Sequence, residues 1–399
     1  MRDDWLETTF RDFASLEKGI SYKSSELCDE GEGMPFINLK SIDRGGGYRA
    51  DGLKWYSGKF KSSQVVEPGD LILCCTDLTK QKAILGYPIL VPAIGYSRFC
   101  ISLDLAKILV DEKKILKSFL FLLLQDRRMR EFMQSRSSGT TVMHLKTSEV
   151  PDVQVELPPL PEQKRIVDLI SSVDSYINAL QQQIESAKRS RNAVLHELLT
   201  VGGEGWVETT LDGIAQVVMG QSPDGKSYNQ ESKGLPFMQG SAEFGEHNPV
   251  PEKWCSDPKK IAEPGDLLLS VRAPVGDTNF ADQRIAVGRG LSIIRANKES
   301  LTEFIRLVIQ LNVAELIASS GSGMFASITG KNLKEFKVNL PPLPEQKRIV
   351  EIINTIDEVI AKTALTTNKA IELRSGLLSD LLSGEHEIPD SYDKVIGAA

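Results

Sequence analysis

Two stretches of the chain space their apolar residues at alternating steps of four and three, the heptad pattern of a helix that buries one face. Each follows a Pro-Pro-Leu-Pro segment, and Arg191 and Arg374 interrupt the two seams at matching places. The apolar positions are Ile166, Ile170, Val173, Ile177, Leu180, Ile184, Ala187, Val194 or Leu195, and Leu198 in the first stretch, and Ile349, Ile353, Ile356, Ile360, Thr363, Thr367, Ala370, Leu377 or Leu378, and Leu381 in the second. We predict two long helices that form an antiparallel coiled coil, although core helices of a bundle would show a similar pattern.

The remaining sequence has shorter periods, which predict mixed α/β domains. Strand-like runs at 70–74 and 266–271 follow Pro-Gly turns, and alternating runs at 153–157 and 336–340 close each region. Helices are predicted at 114–133 and 301–318, each followed by a Ser/Gly loop, at 135–139 and 319–323. The predicted fold class is therefore α+β, with two mixed α/β domains separated by two long helices. The predicted boundaries are 1–156 and 206–339 for the α/β domains, 157–205 and 340–384 for the helical segments, and 385–399 for an acidic, mostly disordered tail.

The two halves of the chain repeat each other. Residues 157–167 recur letter for letter as residues 340–350, Trp5-Leu-Glu-Thr-Thr9 returns as Trp206-Val-Glu-Thr-Thr210, and Glu67-Pro-Gly-Asp-Leu71 returns as Glu263-Pro-Gly-Asp-Leu267. Since the order is the same, the chain is a tandem duplication. The repeated segments indicate that both copies share one fold, and the divergent sequence between them indicates that the copies recognise different things. An old duplication retained only for packing is the alternative.

Bulk composition is that of an ordinary globular protein. The 399 residues include 41% hydrophobic and 25% charged residues, with a net charge of -7. An acidic balance disfavours nucleic-acid binding mildly, but phosphates respond to a local patch rather than to the whole-chain sum. The five cysteines lack metal-ligand spacing, so we expect buried thiols and a cytoplasmic location.

Catalytic motifs are absent from the sequence. It has no G-x-G-x-x-G cradle, no Gly-x-Ser-x-Gly, and no histidines at metal-ligand spacing. The D-x-K at Asp111–Lys113 is expected to open a helix rather than to form a nuclease site. We therefore predict no catalytic residue, no metal site and no cofactor bound by this chain.

Basic residues interleaved with aromatic ones point to nucleic acid. Residues 40–61 contain six basic residues against Asp43 and Asp51, with Tyr48, Trp55, Tyr56 and Phe60 among them. A glycine triplet, 45–47, would let the backbone approach a phosphate. A solvated charged loop with its aromatics turned inward explains the same pattern. The predicted DNA-binding residues are Lys40, Arg44, Arg49, Lys54, Lys59, Thr79, Lys80 and Lys82 in the first copy, and Gln239, Arg272, Arg284 and Arg289 in the second.

These features resemble the specificity subunits of Type I restriction–modification systems, over residues 5–384. The most specific are the doubled Leu-Pro-Pro-Leu-Pro-Glu-Gln-Lys-Arg-Ile-Val, the Glu-Pro-Gly-Asp-Leu anchors and the long helix in each copy. The resemblance implies that each α/β domain is a target recognition domain reading half of an asymmetric, interrupted double-stranded DNA site. It also implies two adenine methyltransferase subunits and two motor–nuclease subunits as partners, to which S-adenosylmethionine, ATP and magnesium belong.

The repeated motif is the predicted docking surface for the methyltransferase subunits. The residues we assign to it are Glu162, Gln163, Arg165, Glu345, Gln346 and Arg348. Two other classes stay open: a stand-alone two-headed DNA-binding regulator, and a structural linker whose repeats bind other proteins. A regulator should carry a strongly basic face and an effector module, and a linker would not need the basic cluster at 40–61.

Overall fold

The computed structural model describes residues 4–318 and 327–396. The chain divides into two compact units, Met1–Ala179 with Thr366–Ala399 (unit 1) and Leu180–Leu365 (unit 2). Each unit therefore combines one α/β domain with parts of both long helices. The Ser/Gly loop predicted at 319–323 lies outside the described residues.

Helices and strands follow the order that the duplication predicts. The helices are α1 (Phe10–Phe13), α2 (Lys117–Gln125), α3 (Arg127–Ser135), α4 (Leu160–Thr200), α5 (Leu211–Ile214), α6 (Thr302–Ala318), α7 (Gly330–Glu335), α8 (Leu343–Leu382) and α9 (Tyr392–Ile396). The strands of the first copy are β1 (Leu6–Thr9), β2 (Ala14–Lys18), β3 (Leu27–Cys28), β4 (Met34–Ile37), β5 (Lys54–Tyr56), β6 (Val65–Val66), β7 (Leu71–Cys74), β8 (Thr76–Asp77), β9 (Pro88–Leu90), β10 (Phe99–Ile101), β11 (Leu105–Val110), β12 (Ser137–Ser138), β13 (Met143–Leu145) and β14 (Gln154–Leu157). Those of the second are β15 (Val207–Thr210), β16 (Ala215–Met219), β17 (Tyr228–Asn229), β18 (Leu235–Met238), β19 (Lys253–Cys255), β20 (Ile261–Ala262), β21 (Leu267–Ser270), β22 (Thr278–Phe280), β23 (Ile285–Val287), β24 (Leu291–Ala296) and β25 (Lys337–Leu340).

The sheets of the two units have matching strand orders. Unit 1 contains β1-β14, β2-β11-β7-β9 and β3-β5-β4-β10-β6, and unit 2 contains β15-β25, β16-β24-β21-β22 and β17-β19-β18-β23-β20. Unit 1 has a further sheet, β12-β13-β8. The buried strands β7 and β21 after the Pro-Gly turns occupy equivalent positions, as their shared sequence predicts.

The predicted heptad seams are the buried sides of α4 and α8. Every seam position in both helices is buried or half-buried, including Thr363 and Thr367, which replace the leucine and isoleucine of the first copy. In unit 1, Ile166 and Ile170 share a core cluster with Leu378, Leu381 and Leu382. Asp174, farther along α4, pairs with Arg374, which comes earlier in α8, so residue numbers rise along one helix as they fall along the other. Unit 2 pairs Leu195 and Leu199 with Ile349 and Ile353 in the same sense. Each unit therefore contains an antiparallel helix pair.

The two arginines that interrupt the seams form matching ion pairs. In unit 1 the Arg374 guanidinium donates to both carboxylate oxygens of Asp174, with Nη2 at 2.9 Å from Oδ2, and also to Gln125 Oε1 at 3.3 Å.

In unit 2 the Arg191 guanidinium donates to Asp357 at 2.6 and 2.9 Å and to Gln310 Oε1 at 3.4 Å. The bidentate geometry makes these strong, directional contacts. Since Gln125 ends α2 and Gln310 lies in α6, each cluster joins both long helices to the α/β domain of its own unit.

Two of the predicted helices are interrupted. The stretch predicted at 114–133 is two helices, because Asp126 ends α2 and its carboxylate accepts from the Arg128 backbone N–H to start α3. The helix α6 has a non-helical Asn312 in its middle, whose side chain donates to the Val308 carbonyl. Asp111–Lys113 do not open a helix, since α2 begins only at Lys117.

The prediction that the acidic tail is mostly disordered is wrong for residues 385–396. Ile388 is 6% exposed within the core of unit 1, and Tyr392, the first residue of α9, packs against that core. Composition alone could not show this, because a single apolar residue, Ile388, anchors the segment. The ion pairs of Asp390 and Asp393 with Arg165 also join residues that are far apart in the sequence.

Candidate nucleic-acid interface

A groove in unit 1 brings together the two segments selected from the first copy. It has a volume of about 610 Å³ and lies between the basic segment at 40–54 and the loop at 77–84. Its lining includes Lys40, Arg44, Arg49, Lys54 and Thr79. The lining runs from Leu39 to Ile84, so residues up to 45 positions apart in the sequence share one concave, cation-rich surface.

A tight hairpin carries Arg44 to the edge of the groove. The Asp43 N–H donates to the Gly47 carbonyl at 3.0 Å, and the Gly45 N–H donates to Asp43 Oδ1 at 2.8 Å. Gly46 has a φ of +89° and lies so close to Tyr87 that a Cβ would meet the ring at 2.3 Å. The glycine triplet was predicted to let the backbone approach a phosphate, but at Gly46 the close approach is to Tyr87.

Asp77 organises the opposite wall. Its buried carboxylate accepts from the Thr79 N–H at 2.7 Å, from the Thr79 hydroxyl at 2.8 Å and from the Ile84 N–H at 2.9 Å. Arg130 of α3 donates to the carbonyls of Leu85 and Ala83, both at 2.6 Å. The loop is therefore fixed at both ends by charged groups that hydrogen-bond to its backbone, and burial lowers the pKa of Arg130.

The cations of the groove differ in how far they are neutralised. Arg49 forms a bidentate pair with Asp51, at 3.1 and 2.5 Å, and this hydrogen bond raises the pKa of Arg49 and lowers that of Asp51. Lys40, Arg44 and Lys54 are exposed and form no ion pair with a described residue. These three therefore supply the positive charge that is available to an external anion.

The other candidates of the first copy have different environments. Lys59 and Lys80 are exposed outside the residues that line the groove. The Lys82 Nζ donates to the Gln134 carbonyl of α3 at 3.1 Å, so this lysine is turned back onto the domain. The alternative explanation, a charged loop whose aromatic side chains turn inward, holds for some of these residues. Tyr56 is buried and stacked on Phe36, whereas Phe60 is 41% exposed.

The second copy brings two of its four candidates together. The Ser222 hydroxyl donates to Gln239 Oε1 at 3.3 Å, and the Arg289 N–H lies 3.5 Å from the same hydroxyl. The Arg289 side chain is exposed. Arg284 pairs with Glu263 at 3.3 Å, and Arg272 is exposed in the loop between β21 and β22, at the place equivalent to the 77–84 loop.

The predicted docking residues require a correction. Gln163 is fully buried: its Oε1 accepts from the Leu116 N–H at 2.8 Å, and its Nε2 donates to the Lys114 and Pro158 carbonyls. Gln346 repeats this arrangement with the Leu301 N–H and the carbonyls of Glu299 and Pro341. Both amides therefore attach the start of a long helix to its α/β domain and present no surface to a partner.

The other four docking candidates differ between the copies. Glu162 is buried and accepts from Trp5 Nε1 at 3.3 Å. Arg165 is buried beside Asp390 and Asp393, whereas Arg348 is exposed and pairs with Glu345 of its own helix. Among these six residues, the Arg348 side chain is therefore the clearest candidate for an external contact.

Sequence reasoning missed the residues that position the site. Asp77 and Arg130 act through backbone carbonyls and amides, and Asp174 and Asp357 pair with arginines about 166 to 200 positions away. The matching positions of Arg191 and Arg374 in the two seams were the available signal, because a charged residue on a buried face needs a partner.

No metal-binding cluster of His, Cys, Asp or Glu occurs within residues 4–318 and 327–396. In the same ranges, no helix combines the length and the apolar character needed to cross a membrane.

Burial raises the pKa of the Cys74 and Cys75 thiols, which favours their neutral, unreactive form.

The sequence matches the family described as "Type I restriction modification DNA specificity domain" at residues 2–187 and again at 203–373. The chain belongs to this family, and the two matched regions correspond to its two repeated copies.

Individual relatives agree with this assignment. The EcoBI specificity subunit of Escherichia coli is 23% identical over 96% of this chain and 85% of its own length. A relative from Methanocaldococcus jannaschii, named for the enzyme MjaX, is 34% identical; the match covers 64% of this chain and 63% of that protein.

Solved structures show the same architecture. A chain from a study of type I R-M system assembly superposes with a TM-score of 0.69 at 26% identity, covering 96% of this chain and 98% of that one. The HsdS subunit from Thermoanaerobacter tengcongensis gives a TM-score of 0.51 at 26% identity, over 97% and 98% of the two chains.

Proposed function

We propose that this chain is the DNA-reading subunit of a type I restriction–modification complex, in which each α/β domain reads one half of an interrupted double-stranded site. The observation that carries the proposal is the groove of unit 1, where Lys40, Arg44 and Lys54 face a loop fixed by Asp77. Lysine and arginine provide the donors that bind phosphates and base edges.

The second domain carries different candidate DNA contacts, which suit recognition of a different half of the site. Its candidate contacts are Gln239, Arg272 and Arg289, which differ in type and position from the cations of the first groove. Glutamine and arginine form bidentate contacts with adenine and guanine respectively. Two domains of one fold with different polar groups are suited to an asymmetric target.

We further propose that catalysis belongs to partners. The sequence contains none of the cradles and nucleophile motifs that methyl transfer or DNA cleavage requires. Two adenine methyltransferase subunits and two motor–nuclease subunits would supply these activities, together with S-adenosylmethionine, ATP and magnesium. A stand-alone regulator is less well supported, because the family and the duplicated architecture are those of specificity subunits.

Reconstitution tests this division of labour. We expect the purified chain to transfer no methyl group from labelled S-adenosylmethionine to DNA, and the methyltransferase subunit alone to show no site preference. Mixing the two should produce methylation at one interrupted sequence. Methyl transfer by the chain alone would contradict the proposal, as would an unchanged methylation pattern after mixing.

A further inference from the structure

The eleven-residue motif shared by the two copies allows a direct comparison of two surfaces with one sequence. Residues 157–167 and 340–350 are identical, so a difference in the exposure of equivalent side chains must arise from what lies against them. The largest such difference is at the arginine: the Arg165 side chain is 9% exposed, and the Arg348 side chain is 63% exposed.

In unit 1 the C-terminal segment covers this arginine. Arg165 Nη1 lies 2.6 Å from Asp390 Oδ1 and 3.3 Å from Asp393 Oδ2. Ile388 holds the segment in place, since it is 6% exposed within the same core as Ile166. The covering segment thus combines one buried apolar anchor with two carboxylates.

In unit 2 the equivalent arginine pairs within its own helix. Arg348 Nη1 lies 2.9 Å from Glu345 Oε1, three residues earlier, and both Lys347 and Arg348 are exposed. An exposed ion pair of this kind contributes little to stability and exchanges readily for another carboxylate. The Lys347–Arg348 face can therefore accept an acidic group at little cost.

We infer that the Lys347–Arg348 face of unit 2 is a docking surface for an acidic segment of the methyltransferase subunit, and that residues 385–396 occupy the equivalent face of unit 1. Residues 388–393 show the chemistry of the occupant: a carboxylate-bearing turn beside an apolar side chain. The inference rests on the proposed function for the identity of the partner. It makes the two docking faces unequal, one open and one covered by the chain itself.

Titration of the methyltransferase subunit into the full chain tests the inequality. We expect two dissociation constants that differ by about tenfold or more. Replacing Asp390 and Asp393 by asparagine retains Ile388 and should tighten the weaker constant by about tenfold, because the cover loses its charge. Glu372→Gln with Asp380→Asn, which neutralises two exposed carboxylates of α8, should change neither constant.

The open face is tested separately. Arg348→Ala should weaken the tighter constant by about tenfold, whereas Arg189→Ala, at an exposed arginine of the same unit, should not. Equal constants in the wild type would overturn the inference. So would an unchanged weaker constant in the Asp390→Asn, Asp393→Asn variant, or an unchanged tighter constant in Arg348→Ala.

A peptide distinguishes failure of this inference from failure of the proposed function. A synthetic peptide of residues 385–396 should bind the full chain and lose about tenfold in affinity on Arg348→Ala. If the methyltransferase subunit did not bind the wild type at all, the proposed function would fail, and peptide binding would still decide the chemistry of the face. Peptide affinity that is unaffected by Arg348→Ala would contradict the inference directly.

Discussion

Replacing Lys40, Arg44 and Lys54 together by alanine is expected to lower the affinity of the assembled complex for its DNA target by about 10- to 100-fold. Among the residues that the structure describes, these three side chains are the cations of the unit 1 groove that form no ion pair. If each contacts a phosphate, the slope of log affinity against log salt concentration should fall by about one per residue, or about three in all. Fluorescence anisotropy with a labelled duplex at several salt concentrations measures both quantities.

A variant with the same change in net charge provides the control. Lys113, Lys188 and Lys298 are exposed and do not line the groove, so their triple replacement by alanine should change the affinity less than threefold, about 0.6 kcal/mol. Equal losses in both variants would show that the groove has no special role and that only the total charge of the chain matters.

Gln163→Ala is expected to destabilise unit 1 by about 2–4 kcal/mol. The substitution removes a buried amide that makes three hydrogen bonds, and it leaves the Leu116 N–H and the carbonyls of Lys114 and Pro158 without their partner. Gln346→Ala should have a similar effect on unit 2, because Gln346 makes the equivalent bonds.

Hydrogen exchange followed by mass spectrometry can separate the two effects. Peptides containing Leu116 should lose protection in Gln163→Ala, and peptides containing Leu301 should lose it in Gln346→Ala. Gln182→Ala, at an exposed position of α4, should leave both unchanged. Normal protection at Leu116 in Gln163→Ala would show that the amide does not hold the helix to the domain.

The sequence predicted the architecture because its main features are periodic or repeated. The heptad spacing identified the buried seams, and the duplicated anchors identified equivalent strands such as β7 and β21. The break at Asp126 was missed, since the apolar pattern continues across it and only the capping contact to Arg128 reveals it. Burial of Ile388 was missed for a similar reason, because an isolated apolar residue in an acidic segment has no period.

The candidate site was predicted less completely. The sequence selected the basic segment at 40–61 and the residues Thr79, Lys80 and Lys82. The structure brings Lys40, Arg44, Arg49, Lys54 and Thr79 to one groove, and the other candidates of the first copy lie outside its lining. Composition could not separate Arg49, which Asp51 neutralises, from Arg44, which is unpaired among the described residues. Nor could it show that Gln163, which recurs as Gln346, is an internal contact, because the sequence does not distinguish a buried, hydrogen-bonded amide from an exposed one.

Domain exchange followed by methylation mapping tests the central claim, that the two α/β domains read DNA independently. Residues 1–156 are replaced by the matching region of another specificity subunit, and methylated adenines are mapped across a genome in cells that carry the methyltransferase subunit. Exchange of residues 206–339 is the matched control. We predict that each exchange changes one half of the methylated sequence, a different half in each case, and preserves the other. A change in both halves after a single exchange would contradict the account.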